Sequence, residues 1–196
     1  SRNRKRMSVT CDTSHSPIGP CGPSDQSTID FFGFASLTCA SIALLNAAIV
    51  QDPRVKGIVV LSPHVLNERC CRNEIRSAVD AYENGNLRVK LRRYHRSNVD
   101  YAFRGWSDTW LSSEFEGWDF RSHLPQLQCP VLAIRGVEDP YNTSIHINSI
   151  RSKVKQRVVT HELADCGHSP QFEQKTKTMQ LISGWLKLNF PDRYER

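Results

Sequence analysis

Cys129-Pro-Val-Leu-Ala-Ile-Arg-Gly136 followed at once by Val-Glu-Asp139, and Arg157-Val-Val-Thr-His-Glu-Leu-Ala164 followed by Asp165-Cys-Gly-His168, are the stretches whose reading decides the fold. Each opens as a short run rich in apolar and β-branched residues, suited to a strand of a parallel sheet. Each then passes into a loop that carries a titratable residue. Thr143 to Val154, between them, reads as a helix, so the two strands form a βαβ unit. In open α/β sheets, reacting and ligand-binding groups gather just past the carboxyl ends of the strands. A carboxylate after one strand and a histidine after the next can meet there, the carboxylate bonding one ring nitrogen and leaving the other as a base. A lone Asp in a turn is more often a turn or cap residue, and a lone His more often structural. Both together, in this order after consecutive strands, single out Asp139 and His168 as an acid and base pair.

Working outward, Thr28-Ile-Asp-Phe-Phe-Gly-Phe34 reads as a strand and Ser41-Ile-Ala-Leu-Leu-Asn-Ala-Ala-Ile-Val50 as a buried helix. Gln51-Asp52-Pro53 stops that helix, and Val55 to Ser62 is a further apolar strand, which completes a second βαβ unit. From Asn67 to about Arg96 the spacing is helical, broken by Gly85, with Leu87, Val89, Leu91 and Tyr94 as apolar positions among the cations of the second piece. Tyr101, Phe103, Trp106, Trp110, Phe115, Trp118 and Phe120 follow as an aromatic block, and a last helix covers about Gln174 to Leu188. The predicted architecture is an α/β sandwich with a mainly parallel sheet and a helical insertion at about residues 67–120. Residues 1–28, rich in Pro, Gly and Ser, are expected to be irregular, and 29–190 to form the one domain that 196 residues allow.

Composition narrows the function classes. No apolar run approaches the roughly 20 residues of a bilayer span, and the polar stretch after the basic N-terminus lacks the apolar core of a signal peptide. Seven cysteines without a C-x-x-C pair read as free thiols rather than a disulfide scaffold or zinc site. A cytoplasmic protein is expected, with no metal or other cofactor. A net charge of +6 and the cluster Arg88, Lys90, Arg92, Arg93 and Arg96 raise the question of a polyanion. The cluster is read instead as the solvated face of a helix, so nucleic acid is not expected as a partner, and with no spanning run no membrane partner is expected either.

Leu124 to Tyr141 and Leu163-Ala-Asp-Cys-Gly-His-Ser-Pro170 resemble the acid and histidine motifs of the α/β-hydrolase fold family. Ser41 to Ala48, Asp52 to His64 and Ala102-Phe-Arg-Gly-Trp106 resemble its elbow helix, the following strand and its cap. The resemblance runs from about Ser41 to Leu188. It implies that Asp139 is the acid and His168 the general base of a Ser/Asp/His triad, with a helical cap over the pocket. The family's nucleophile elbow is G-x-S-x-G; here the stretch is Gly33-Phe-Ala-Ser-Leu-Thr-Cys-Ala-Ser41, with Phe34 and Thr38 where the glycines belong. Ser36 is the candidate nucleophile, one residue before the position that family spacing gives, Leu37, and Cys39 and Ser41 are the alternatives. The family's earlier strands and His-Gly oxyanion loop have no counterpart in residues 1–28, from which a truncated or frame-shifted form of a longer hydrolase is expected.

The function that follows is a serine hydrolase cleaving an ester or related acyl bond of an apolar or aromatic small molecule. Its catalytic residues are Ser36, Asp139 and His168, and Leu37, His64, Trp106 and Trp110 are assigned to substrate binding. A catalytically inactive remnant that binds a ligand or partner is the other reading.

Overall fold

The computed structural model describes residues 31–36 and 38–193, with side chains over residues 40–192. Both the expected irregular segment 1–28 and Leu37 lie outside the described residues. Strands β1 (Phe31–Ser36), β2 (Val55–Leu61), β3 (Val131–Gly136) and β4 (Val158–Leu163) form one parallel sheet in the order β1-β2-β3-β4. The first strand runs on to Ser36, opposite Leu61 and two residues past the end of the sequence reading of Thr28 to Phe34, whose residues 28–30 lie outside the described set.

Each crossover moves one strand in the same direction, so right-handed connections must all lie on one face of the sheet. They do. Helix α1 (Thr38–Val50), the short turn Leu124–Gln126 and helix α5 (Ser144–Lys153) share a core with Ile58, Val60, Val131 and Ala133. The alternate strand residues Val59, Leu61, Leu132 and Ile134 face the other way, against Ile182 and Trp185 of helix α7 (Lys175–Asn189). Period-two alternation therefore survives in the continuous apolar runs Ile58–Leu61 and Val131–Ile134, because two different helical layers cover the two faces. Gly57 belongs to the α7 face: a Cβ there would stand 2.8 Å from Cη2 of Trp185, so glycine admits the indole.

Between β2 and β3 the chain forms helices α2 (Arg69–Glu83), α3 (Leu87–His95) and α4 (Val99–Leu111). The aromatic block packs this insert. Cys71, Ile75 and Trp110 form one cluster and Tyr82, Val99 and Phe103 another, with Tyr82 stacked on Phe103 at 3.8 Å. The C-terminal end of α4 leaves orphan carbonyls that must find donors. Buried Arg72 supplies them, donating to the carbonyls of Trp110 (2.9 Å), Leu111 (3.0 Å) and Ser112 (3.2 Å), while Asn67 donates to Trp110 and Phe115. One expectation is corrected. Val89 and Tyr94 of α3 are exposed while Leu87 and Leu91 turn inward; Val89 lies some 200° from Leu87 around the helix, and Tyr94 stands in its last turn. Cys70, Cys71, Cys129 and Cys166 are unpaired thiols. No helix among the described residues is long and apolar enough to cross a membrane.

Because Arg72 answers three carbonyls at once, Arg72→Met should cost about 3 kcal/mol. In a chain of this size that lowers the thermal midpoint by roughly 6–12 °C, read by circular dichroism against the unaltered protein.

Candidate active site

The site is assembled where β3 and β4 end side by side. At the end of β3, Gly136 is forced by geometry: a Cβ there would lie 2.0 Å from the carbonyl oxygen of Cys166 and 2.2 Å from that of Gly167. With no side chain in the way, the two following loops join directly, Val137 N–H donating to Leu163 O (2.9 Å) and Glu138 N–H to Cys166 O (3.0 Å). Asp139 then turns back on itself, its Oδ1 accepting from Tyr141 N–H at 2.9 Å, which is the side-chain turn expected of Asp before Pro140. Its Oδ2 accepts from Nδ1 of His168 at 2.7 Å, with the carboxylate fully buried. That bond puts the ring proton on Nδ1 and leaves Nε2 as the available lone pair.

Both loops are held by charged groups that the sequence reading did not single out. Arg135, buried within β3, pairs with Glu162 of β4 and donates to Asn142 O at 2.8 Å, bracketing the loop that carries Asp139. Its signal was available in principle, since a charge inside an otherwise apolar buried strand demands partners. On the histidine side, Glu173 accepts from the backbone N–H groups of Gly167 and Ser169, both at 2.7 Å. These are the residues flanking His168, so one carboxylate fixes the loop on both sides of the imidazole. The sequence signal is Ser169-Pro170 opening the short helix α6 (Pro170–Glu173), with Glu in its first turn. Asp165 and Ser62, three and two residues before His168 and His64, adopt left-handed backbones with φ of 52° and 47°. Non-glycine residues in that region cluster at functional loops.

His168 forms part of the wall of a cavity of about 410 Å³ beneath the helical insert. His64, Trp106, Trp110 and Tyr141 share that wall, with Ile75, Phe103 and Leu91 making it chiefly apolar. The volume lies within the range of small-molecule sites. His64 packs edge to face on Trp110 at 5.1 Å, with its ring centre 5.8 Å from that of His168. Burial pushes its pKa well below 6.5, reinforced by the neighbouring His146 and His168, so the ring is uncharged at neutral pH. Cys71 is a wall residue too, and burial pushes its thiol up to about 12, leaving it an apolar contact rather than a thiolate.

Behind His64, the fully buried His146 accepts at Nδ1 from Val65 N–H (3.0 Å), so it donates from Nε2 to Glu68 (2.6 Å). Glu68 also accepts from the N–H and hydroxyl of Thr143. Burial pulls that carboxyl upward, yet the bonds from His146 and Thr143 outweigh it and bring the pKa down to about 2. The network ties the β2–α2 loop to α5, and nothing in the spacing of Glu68 and His146 foretold it.

Of the residues assigned from sequence, His64, Trp106, Trp110 and His168 surround one cavity, and Asp139 bonds His168. Ser36 closes β1 at the same end of the sheet, and its side chain, like that of Cys39, lies outside the described set. Ser41 is buried in α1, its hydroxyl accepting from His64 N–H at 3.2 Å. Among the described residues no three His, Cys, Asp or Glu side chains are grouped as metal ligands.

The fold has counterparts among solved structures. An esterase from Thermogutta terrifontis superposes with a TM-score of 0.56 at 19% identity, over 82% of this chain and 65% of that one. A membrane phospholipase A gives 0.59 at 18% identity, over 83% and 58%. The 2-hydroxy-6-oxo-6-phenylhexa-2,4-dienoate hydrolase of Rhodococcus sp. strain RHA1 gives 0.56 at 14% identity, over 83% and 65%. The fold is that of an α/β-hydrolase. It is a partial one, since the chain spans about 58–65% of the length of these relatives. No family model and no curated protein matches the sequence.

The uncharged His64 of this α/β-hydrolase fold has a consequence for stability. Its folded pKa lies below its unfolded value near 6.5, so its contribution is complete above that pH and is lost as pH falls below it. Glu68, lowered from 4.5 to about 2, adds a second loss between those values. Unfolding midpoints measured across pH 7.5 to about 5 should therefore decline, and His64→Gln should flatten that decline; an unchanged slope would refute the assignment.

Proposed function

We propose that this chain is a serine hydrolase that cleaves an ester or related acyl bond of an apolar or aromatic small molecule. The observation that carries the reading is the 2.7 Å bond between His168 Nδ1 and Asp139 Oδ2 in the wall of an apolar cavity at the carboxyl ends of the strands. Ser36, at the end of β1 beside the β2 terminus that leads to His64, is the nucleophile in this proposal. Its hydroxyl attacks the acyl carbon while the proton passes to Nε2 of His168, and Asp139 steadies the imidazolium. His168 returns the proton to the leaving oxygen as the C–O bond breaks. Water, deprotonated by the same ring, then attacks the acyl-serine, and Ser36 recovers its proton.

The remaining assignments follow from these charges. Leu37 follows the nucleophile, and its backbone N–H is the oxyanion donor that this part of the fold contributes. His64, uncharged beside His168, adds no cation to oppose the imidazolium that forms there. Trp106 and Trp110, with Tyr141, offer flat apolar surface to the substrate. One observation favours the alternative, an inactive remnant that binds a ligand: the sequence has Phe34 and Thr38 at the two elbow positions that ordinarily carry glycine.

A fluorophosphonate probe separates the two readings. Covalent labelling of the folded chain that vanishes in Ser36→Ala, and slows by about 10³-fold or more in His168→Ala, is the outcome expected of the hydrolase. Folded protein that takes up no label is the remnant.

A further inference from the structure

Helix α3 has two unlike sides. Leu87, Leu91 and His95, four residues apart, line the cavity, yet no residue of the helix is fully buried. The opposite side, set by about 3.6 residues per turn, is centred on Val89 and Arg93, with Lys90 and Arg92 at its margins and Arg96 just past the helix end. Val89 is 66% exposed and the nearby Tyr94 82%, while Tyr101 near the start of α4 is 86% exposed. The segment 87–96 holds five arginines and lysines and no carboxylate. Arg88 is answered by Asp100 at 2.6 Å, whereas Lys90, Arg92, Arg93 and Arg96 form no ion pair among the described residues. Four unmatched cations thus lie beside exposed aliphatic and aromatic side chains, on a helix whose underside is a wall of the cavity.

We propose that the outer face of α3 docks on an anionic lipid surface, placing the cavity beneath it at the membrane interface. The charge is complementary to acidic headgroups, and an amphipathic basic helix with apolar side chains among its cations suits the interfacial plane. Tyrosines favour the headgroup level, where an apolar ring and a polar hydroxyl are both accommodated. A polynucleotide would use the cations, but it would leave Val89 unused. The expectation of no membrane partner rested on the lack of a spanning segment, which peripheral docking does not need. The proposal concerns binding alone and stands apart from the role given to Ser36.

The test is sedimentation of the full chain with phosphatidylcholine vesicles, with and without phosphatidylserine. Binding should be about tenfold tighter or more on the anionic vesicles and should weaken as salt is raised. Arg92→Glu with Arg93→Glu should reduce it about tenfold or more, and Val89→Asp should weaken it further. Lys175→Glu with Lys187→Glu, an equal charge change on exposed positions of α7, should leave it within about twofold. Near-UV circular dichroism reports whether each variant is folded, and Lys90→Gln with Arg96→Gln gives a milder variant with an intermediate loss. Equal binding to both vesicle types overturns the proposal, as does an equal loss in the α7 variant. Salt-sensitive binding to single-stranded RNA with no vesicle binding would overturn it in favour of a nucleic-acid face.

Discussion

The site depends on how closely two backbones approach. Neighbouring parallel strands run a little under 5 Å apart, so loops that leave β3 and β4 at the same level are within reach of each other only if nothing stands between them. Gly136 meets that condition, because any β-carbon would fall inside the carbonyls of Cys166 and Gly167. Once the loops touch, their own N–H groups and carbonyls bond, and Asp139 arrives within hydrogen-bonding distance of His168. The pair is thus a product of backbone packing first and of side-chain attraction second.

Around that contact lies a shell of partnered charge, buried at Arg135, half-buried at Glu68 and exposed at Glu162 and Glu173. Arg135 with Glu162, Glu173 on two backbone amides, and Glu68 with His146 and Thr143 each hold one loop at the carboxyl end of the sheet. Such groups cost free energy to remove from water and repay it only when all their partners are in place. Their value here is positional, since each bond to a charged group contributes about 1.5–3 kcal/mol toward one loop conformation over others. The left-handed backbones of Asp165 and Ser62 are sustained within this framework.

The helical insert works on a different principle. Its interior is aromatic, and the carbonyls at the end of α4 are met by one cation, Arg72, together with the Asn67 amide. Helix α3 lies at its margin, apolar toward the cavity and basic outward. That difference makes the roof of the cavity the least deeply packed part of the insert, above a floor of heavily bonded loops.

Apolar runs, glycines and the order of Asp139 and His168 along the chain were enough to read the strands, the helices between them and the meeting of Asp139 with His168. Short apolar runs bounded by turn residues mark the central parallel strands, and helical spacing marks itself locally. The end of the first strand was set at Phe34 because Ala35 and Ser36 carry no strand signal of their own, and pairing with Val60 and Leu61 keeps them in it. Val89 was grouped with Leu87 on composition, although helical geometry sets them on different sides. Only the tertiary structure decided which distant groups meet: His146 behind His64, Glu68 on Thr143, Glu162 on Arg135, and Glu173 beneath the His168 loop. Local periodicity is carried by neighbours in sequence, whereas a buried charge finds its partner through the chain's return across the sheet, which no spacing along the chain records.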